Sequence, residues 1–235
     1  MAVYRRRLFP ALAGALWVCF LTLDLTGLCD SRWVKFASIC LCCLTALLGA
    51  KTTDGKLVAV ALCFTVAADW FLLVLDKHYT LGVALFLVVQ GIYAYRLYLF
   101  RGKHIHFRCF TLRILLGLFS GVFLMGLYLF ARAAFGWDGP PRTTIYQDLW
   151  SIFSEWLPLF YFSNLCINAA EAFALKKRTF AFGLFLFVCC DLCVGAYNLG
   201  LLPTLTFPGM WLFYLPSQVL IVLSQETGDT HEKAL

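Results

Sequence analysis

Apolar residues run along the chain in long blocks separated by short polar clusters. The blocks fall at about 8–28, 33–50, 57–75, 79–100, 110–131, 146–170, 179–198 and 206–223. A hydrocarbon core of about 30 Å takes about 20 helical residues to cross. The pattern therefore predicts an all-α polytopic membrane bundle of eight transmembrane helices, forming one domain over residues 1–235. The longest polar connection, 132–144, carries Gly136, Gly139, Pro140 and Pro141 and reads as a turn-rich loop. No period of solenoid length repeats along the chain.

Polar residues inside the blocks stand out against this background. Asp69 is alone in the run Leu57 to Leu75, and Asp191 is alone in the run Thr179 to Asn198. Each follows a basic flank, Lys56 or Arg178, by thirteen residues. Two parallel helices would then hold both carboxyls at one depth, about 20 Å from one membrane face and about 10 Å from the other. A carboxylate left in hydrocarbon costs several kcal/mol, so such residues face a bundle interior and mark function. Glu155, with Asn164, Asn168 and Glu171 after it, lies on the sixth block. Gln90 and Tyr93 lie on the fourth, and Tyr214 and Gln218 on the eighth. Hiding all of these from lipid requires a polar cavity.

Composition agrees with the blocks: 62% of residues are hydrophobic, 14% are charged, and the mean hydropathy is +0.81. The net charge of +6 would suggest nucleic acid in a soluble protein. Here the cations cluster between apolar blocks and act as topology signals instead. Counted by side, fourteen Lys and Arg fall with the two termini, while Arg32, Lys35, Lys77, Arg132 and Arg142 fall opposite. Both termini are expected in the cytoplasm. The first block follows Arg5-Arg6-Arg7 and continues past Cys29 without a small-residue cleavage site, so it is expected to be retained as a span. A bacterial cytoplasmic membrane is expected in preference to the eukaryotic endoplasmic reticulum.

Eleven cysteines would make a disulfide framework in a small secreted chain, but most of these lie inside the blocks. They are expected to pack as small apolar residues. The histidines, His78, His104, His106 and His231, fall in turns, a loop and the tail, so no intramembrane metal set is expected. Asn164 and Asn168, four residues apart, share a helix face and read as glue between helices. Asp24 reads as the interfacial end of the first span.

Two carboxyls sharing a low-dielectric cavity cannot both ionise cheaply, so one keeps its proton while the other stays charged. Such a pair suits hydrolysis of an acid-labile bond through an oxocarbenium-like state. Each aspartate alone has a plainer reading, as a node in a hydrogen-bond network between helices.

The segment Ala68-Asp69-Trp70-Phe71-Leu72, followed by Gly82, Phe86 and Tyr93, resembles the front signature of the lysoplasmalogenase family of membrane proteins, also called YhhN-like. Phe187-Val188-Cys189-Cys190-Asp191-Leu192 resembles its second signature, and Pro216-Ser217-Gln218 its final span. The likeness runs from about Lys35 to Ser224. It implies cleavage of the vinyl-ether bond of a lysophospholipid, releasing a fatty aldehyde and a glycerophospho-alcohol. Asp69 and Asp191 would be the catalytic acid and base, without a metal or cofactor. Gln90, Tyr93, Glu155, Tyr197, Asn198, Tyr214 and Gln218 are then the expected substrate-binding residues, and the lipid bilayer is the expected partner. The chain departs from the family pattern at Ala68, where many relatives have glycine, and at Gln90, where they have histidine. It departs again at Tyr197, the place of an asparagine, with Asn198 one position later. Gln90 can hydrogen-bond but cannot titrate. The rival readings are a proton-coupled carrier, which broken helices would support, and a noncatalytic lipid-binding membrane protein using the same acidic cavity. Pro158 and Pro216 interrupt two blocks, whereas Asp69 sits in an unbroken one.

Overall fold

The computed structural model describes residues 4–101, 107–134, 145–198 and 200–225. Among these the fold is all-helical. A π-helical turn, Tyr4–Leu8, leads into α1 (Phe9–Thr26), followed by α2 (Arg32–Leu48) and α3 (Thr53–Asp69). A second π-helical turn, Trp70–Val74, continues α3, and α4 (Tyr79–Arg101), α5 (Phe107–Ala134), α6 (Ile145–Ala174), α7 (Arg178–Asn198) and α8 (Pro203–Leu223) complete the set. Each predicted block maps onto one helix. The ends differ by a few residues; α3, for one, begins at Thr53, where the Thr52 hydroxyl accepts from Gly55 N at 3.0 Å. At the other end of α1, Gly27 adopts φ 64° and its N–H donates to Leu23 O at 2.9 Å, a left-handed cap that glycine adopts without penalty. Five of the helical segments are long and apolar enough to cross a membrane: α1, α3 with its π-helical extension, α4, α7 and α8. These fit an integral membrane protein.

Six helices close a ring, in the order α2, α3, α4, α6, α7, α8 and back to α2. Helix α1 packs outside on α2 and α8, and α5 packs chiefly on α6. Contacts along the ring fix the directions. Going down α4, Phe86 meets the ring of Tyr214 and Arg96 bonds Ser224, so α4 and α8 are parallel and in register. Phe86 also meets Tyr161, and Arg101 pairs with Glu171 at 3.0 Å, so α6 runs the same way. Helix α7 runs oppositely, with Phe187 against Phe86 and Phe180 against Tyr93.

Within a bilayer, exclusion from water does not drive one helix onto another, so small residues and polar ties do the joining. A Cβ on Gly183 of α7 would come within 2.9 Å of Ile221 Cγ1 and 3.1 Å of Ser217 O, so glycine lets α7 and α8 approach this closely. Gly117 and Gly121 of α5 play the same part against Asn164 and Phe160.

Two cations counted by side as topology signals are buried. Arg96, 1% exposed, makes a two-point ion pair with Asp54 at 2.6 and 2.9 Å and donates to Ser224 Oγ at 2.9 Å. Phe180 lies 4.3 Å from its guanidinium carbon. Lys35, 2% exposed, pairs with Asp24 at 2.8 Å beneath Phe207 and Trp211, and Ser31 bonds the same carboxylate. Asp24 therefore joins α1 to α2 at a buried pair and does not simply mark a span end. Among the described residues the cysteines are free, and Cys42, Cys43 and Cys190 are packed in the core.

Candidate functional site

Asp69 closes the last α-helical turn of α3, and the chain passes into the π-helical turn at the next residue. The run that reads as unbroken in sequence thus changes helical register beside its one acid. Such π segments recur at functional positions because the extra residue per turn re-aims side chains. Asp69 is 5% exposed, and its Oδ2 accepts from the Tyr214 hydroxyl of α8 at 2.7 Å. Asp191, half-buried on α7, accepts from the Tyr161 hydroxyl of α6 at 2.6 Å. Both distances suit a hydroxyl donating to a carboxylate, a bond stronger than one between neutral groups.

The two pairs meet at Phe86 of α4. Its ring centroid lies 5.9 Å from that of Tyr161 and 6.5 Å from that of Tyr214. Phe187 of α7 closes the aromatic layer, 5.7 Å from Phe86 and 5.5 Å from Tyr214. The Cys190 side chain, 5% exposed, lies within electrostatic reach of both carboxyls. Each acid is therefore held by its own tyrosine, and the tyrosines share one aromatic wall.

Beyond this layer, α4, α6 and α8 carry amides on their inner faces. Asn168 of α6 donates through Nδ2 to Gln90 O at 3.0 Å and Gln90 Oε1 at 2.9 Å. Gln218 Nε2 donates to Ser217 Oγ at 3.2 Å. Tyr93 is wholly buried, with its ring edge-on to Phe180 at 5.3 Å. Asn168 does act as glue between α6 and α4, while Asn164 bonds Phe160 O of its own helix.

The structure thus gathers Asp69, Asp191, Gln90, Tyr93, Tyr214 and Gln218 in the ring interior. It does not bring Tyr197 and Asn198 there: Tyr197 is 42% exposed against Phe207, and Asn198 is exposed and bonded to Tyr79. Both sit about two turns beyond Asp191, where α7 nears its end. The side chain of Glu155 lies outside the described residues. Sequence reasoning placed Asn168 among the polar residues to be hidden in the interior but did not single out Tyr161. The two stand seven residues apart on α6, two turns on one face, a spacing that could have flagged them together.

Among the described residues no three His, Cys, Asp or Glu side chains gather to hold a metal ion. The fold and site define a helical bundle with an acidic, tyrosine-braced interior and the length and apolarity of a multi-pass membrane protein. Comparison with protein-family models, curated proteins and solved structures gives no match.

Proposed function

We propose that the chain is an eight-span membrane hydrolase that cleaves the vinyl-ether bond of a lysoplasmalogen, with Asp69 and Asp191 as the acid and base. The observation that carries the reading is the pairing of each acid with a separate buried tyrosine, Tyr214 or Tyr161, around the shared ring of Phe86. A tyrosine hydroxyl occupies one oxygen of each carboxyl and fixes its orientation. The other oxygen is left to exchange a proton with a substrate. One carboxyl delivers a proton to the vinyl carbon remote from oxygen, giving an oxocarbenium ion. The other takes a proton from the water that captures this ion as a hemiacetal, which collapses to aldehyde and alcohol. Apolar walls of Phe86 and Phe187 suit a single acyl-type chain. Both termini lie in the cytoplasm in this reading, and the membrane is a bacterial cytoplasmic one.

Lysoplasmalogen hydrolysed by the purified protein in D2O should yield fatty aldehyde carrying one deuterium on the carbon next to the carbonyl. Failure to release aldehyde, or release of undeuterated aldehyde, overturns the reading. A carrier is the second reading, and the π-helical turn directly after Asp69 favours it, because a register break beside an intramembrane acid can hinge. Proton flux into proteoliposomes without hydrolysis would establish the carrier.

A further inference from the structure

Four polar atoms deep in the ring have no hydrogen-bond partner among the described residues: Gln90 Nε2, Tyr93 Oη, Asn168 Oδ1 and Gln218 Oε1. All four side chains are nearly or wholly buried, at 1% exposure or less. Leaving one such group unmet is unfavourable, and four together weigh against the net stability of a whole domain. Buried water commonly satisfies such groups, each molecule making about three hydrogen bonds.

Their placement is ordered. On α4 and α8 the same spacing recurs: Phe86 and Gln90, Tyr214 and Gln218, each four residues apart. The helices are tied above these amides by the Phe86–Tyr214 ring contact and below them by the Arg96–Ser224 bond. Gln90 and Gln218 therefore stand at one level, with Asn168 bonded to Gln90 and Tyr93 one turn further. Below Tyr93, a cleft of about 270 Å³ is lined by Phe180, Arg96, Lys176, Lys177, Arg178 and Ser224. Phe86 to Arg96 is a rise of about 15 Å. About five waters spaced about 2.8 Å apart would bridge that rise, with the four unmet groups set over its middle turn.

We propose that Gln90, Tyr93, Asn168 and Gln218 bind a chain of water leading from the Arg96 cleft, past Phe180, to the Asp69–Tyr214 and Asp191–Tyr161 pairs. The two acceptors, the donor and the tyrosine hydroxyl suit a neutral ligand that both donates and accepts. No cation lies among them to hold a phosphate. That this water feeds hydrolysis rests on the proposed function; that it is bound does not.

Hydroxyl-radical footprinting of the protein in lipid nanodiscs, read residue by residue by mass spectrometry, tests the binding without substrate. Tyr93, corrected for intrinsic reactivity, should label several-fold more than Phe9, which is equally buried on α1 away from these groups. Gln90→Met and Gln218→Met should each lower the Tyr93 label. Tyr93 labelled no more than Phe9 in the native protein, or labelled equally in folded Met variants, overturns the proposal. An unlabelled Tyr93 beside normal aldehyde release would sink the water chain alone, and a labelled Tyr93 without aldehyde release would sink the hydrolase alone.

Discussion

Tyr214 donates a 2.7 Å hydrogen bond to Asp69, joining α8 to α3 although 145 residues separate them. Tyr161 does the same for Asp191 from α6 to α7 at 2.6 Å. The bonds thus serve two ends at once: they tie neighbouring and distant helices together, and in the proposed mechanism they hold both carboxyls in fixed orientation.

Removing either hydroxyl tests the second of these ends. Hydrogen bonds to charged groups contribute about 1.5–3 kcal/mol. Spent on the transition state, this is about a 10- to 100-fold effect on rate. Tyr214→Phe and Tyr161→Phe are expected to lower kcat for aldehyde release within that range while leaving KM near its native value. A purely structural tyrosine would lower the melting temperature and leave kcat per folded molecule unchanged.

The Arg96–Asp54 pair is a stability element. Breaking a buried ion pair by truncating one partner costs about 3–5 kcal/mol, because the other charge is left behind. Arg96→Met should therefore lower the melting temperature sharply. Arg96→Met combined with Asp54→Leu should recover much of the loss, since well-packed apolar residues often replace such a pair at little cost. Thermal unfolding in detergent of the two variants decides it.

Gly183 and Gly14 should respond oppositely to the same change. In a helix, alanine is better than glycine by about 0.5–1 kcal/mol. Gly14 faces open space, so Gly14→Ala should stabilise by about that amount. At Gly183 the added methyl meets Ile221 Cγ1 at 2.9 Å, Ser217 O at 3.1 Å and Ile221 N at 3.2 Å. Two of these are backbone atoms that cannot rotate away. Gly183→Ala is therefore expected to destabilise by about 1–3 kcal/mol through overpacking, and paired melting curves give the sign.

The helices were legible because membrane-length apolar runs leave few other solutions; each predicted block matches a helix. Asp69, Gln90, Tyr93, Tyr214 and Gln218 were legible as interior residues for the same reason, since a polar group in an apolar run needs somewhere to hide. Their partners were not. Which tyrosine meets which acid depends on the ring order of the helices, and nothing local in the chain brings α8 across to α3 or sets α6 beside α4. Tyr161 was overlooked because a tyrosine in an aromatic-rich helix is unremarkable until its hydroxyl is seen against Asp191. Tyr197 and Asn198 illustrate the converse: chosen by position in a resembling motif, they stand at the exposed end of α7. Arg96 and Lys35, counted by side, are buried because Asp54 and Asp24 stand opposite them on other helices.

Rates of aldehyde release from lysoplasmalogen by the native protein, Asp69→Asn, Asp191→Asn and the double variant test the pairing of the acids most directly. Groups that act as one unit lose about as much singly as together. Each single variant should abolish release nearly completely, with the double variant no slower than the singles. Release retained in both single variants, or losses that multiply in the double, would contradict a shared acid–base pair.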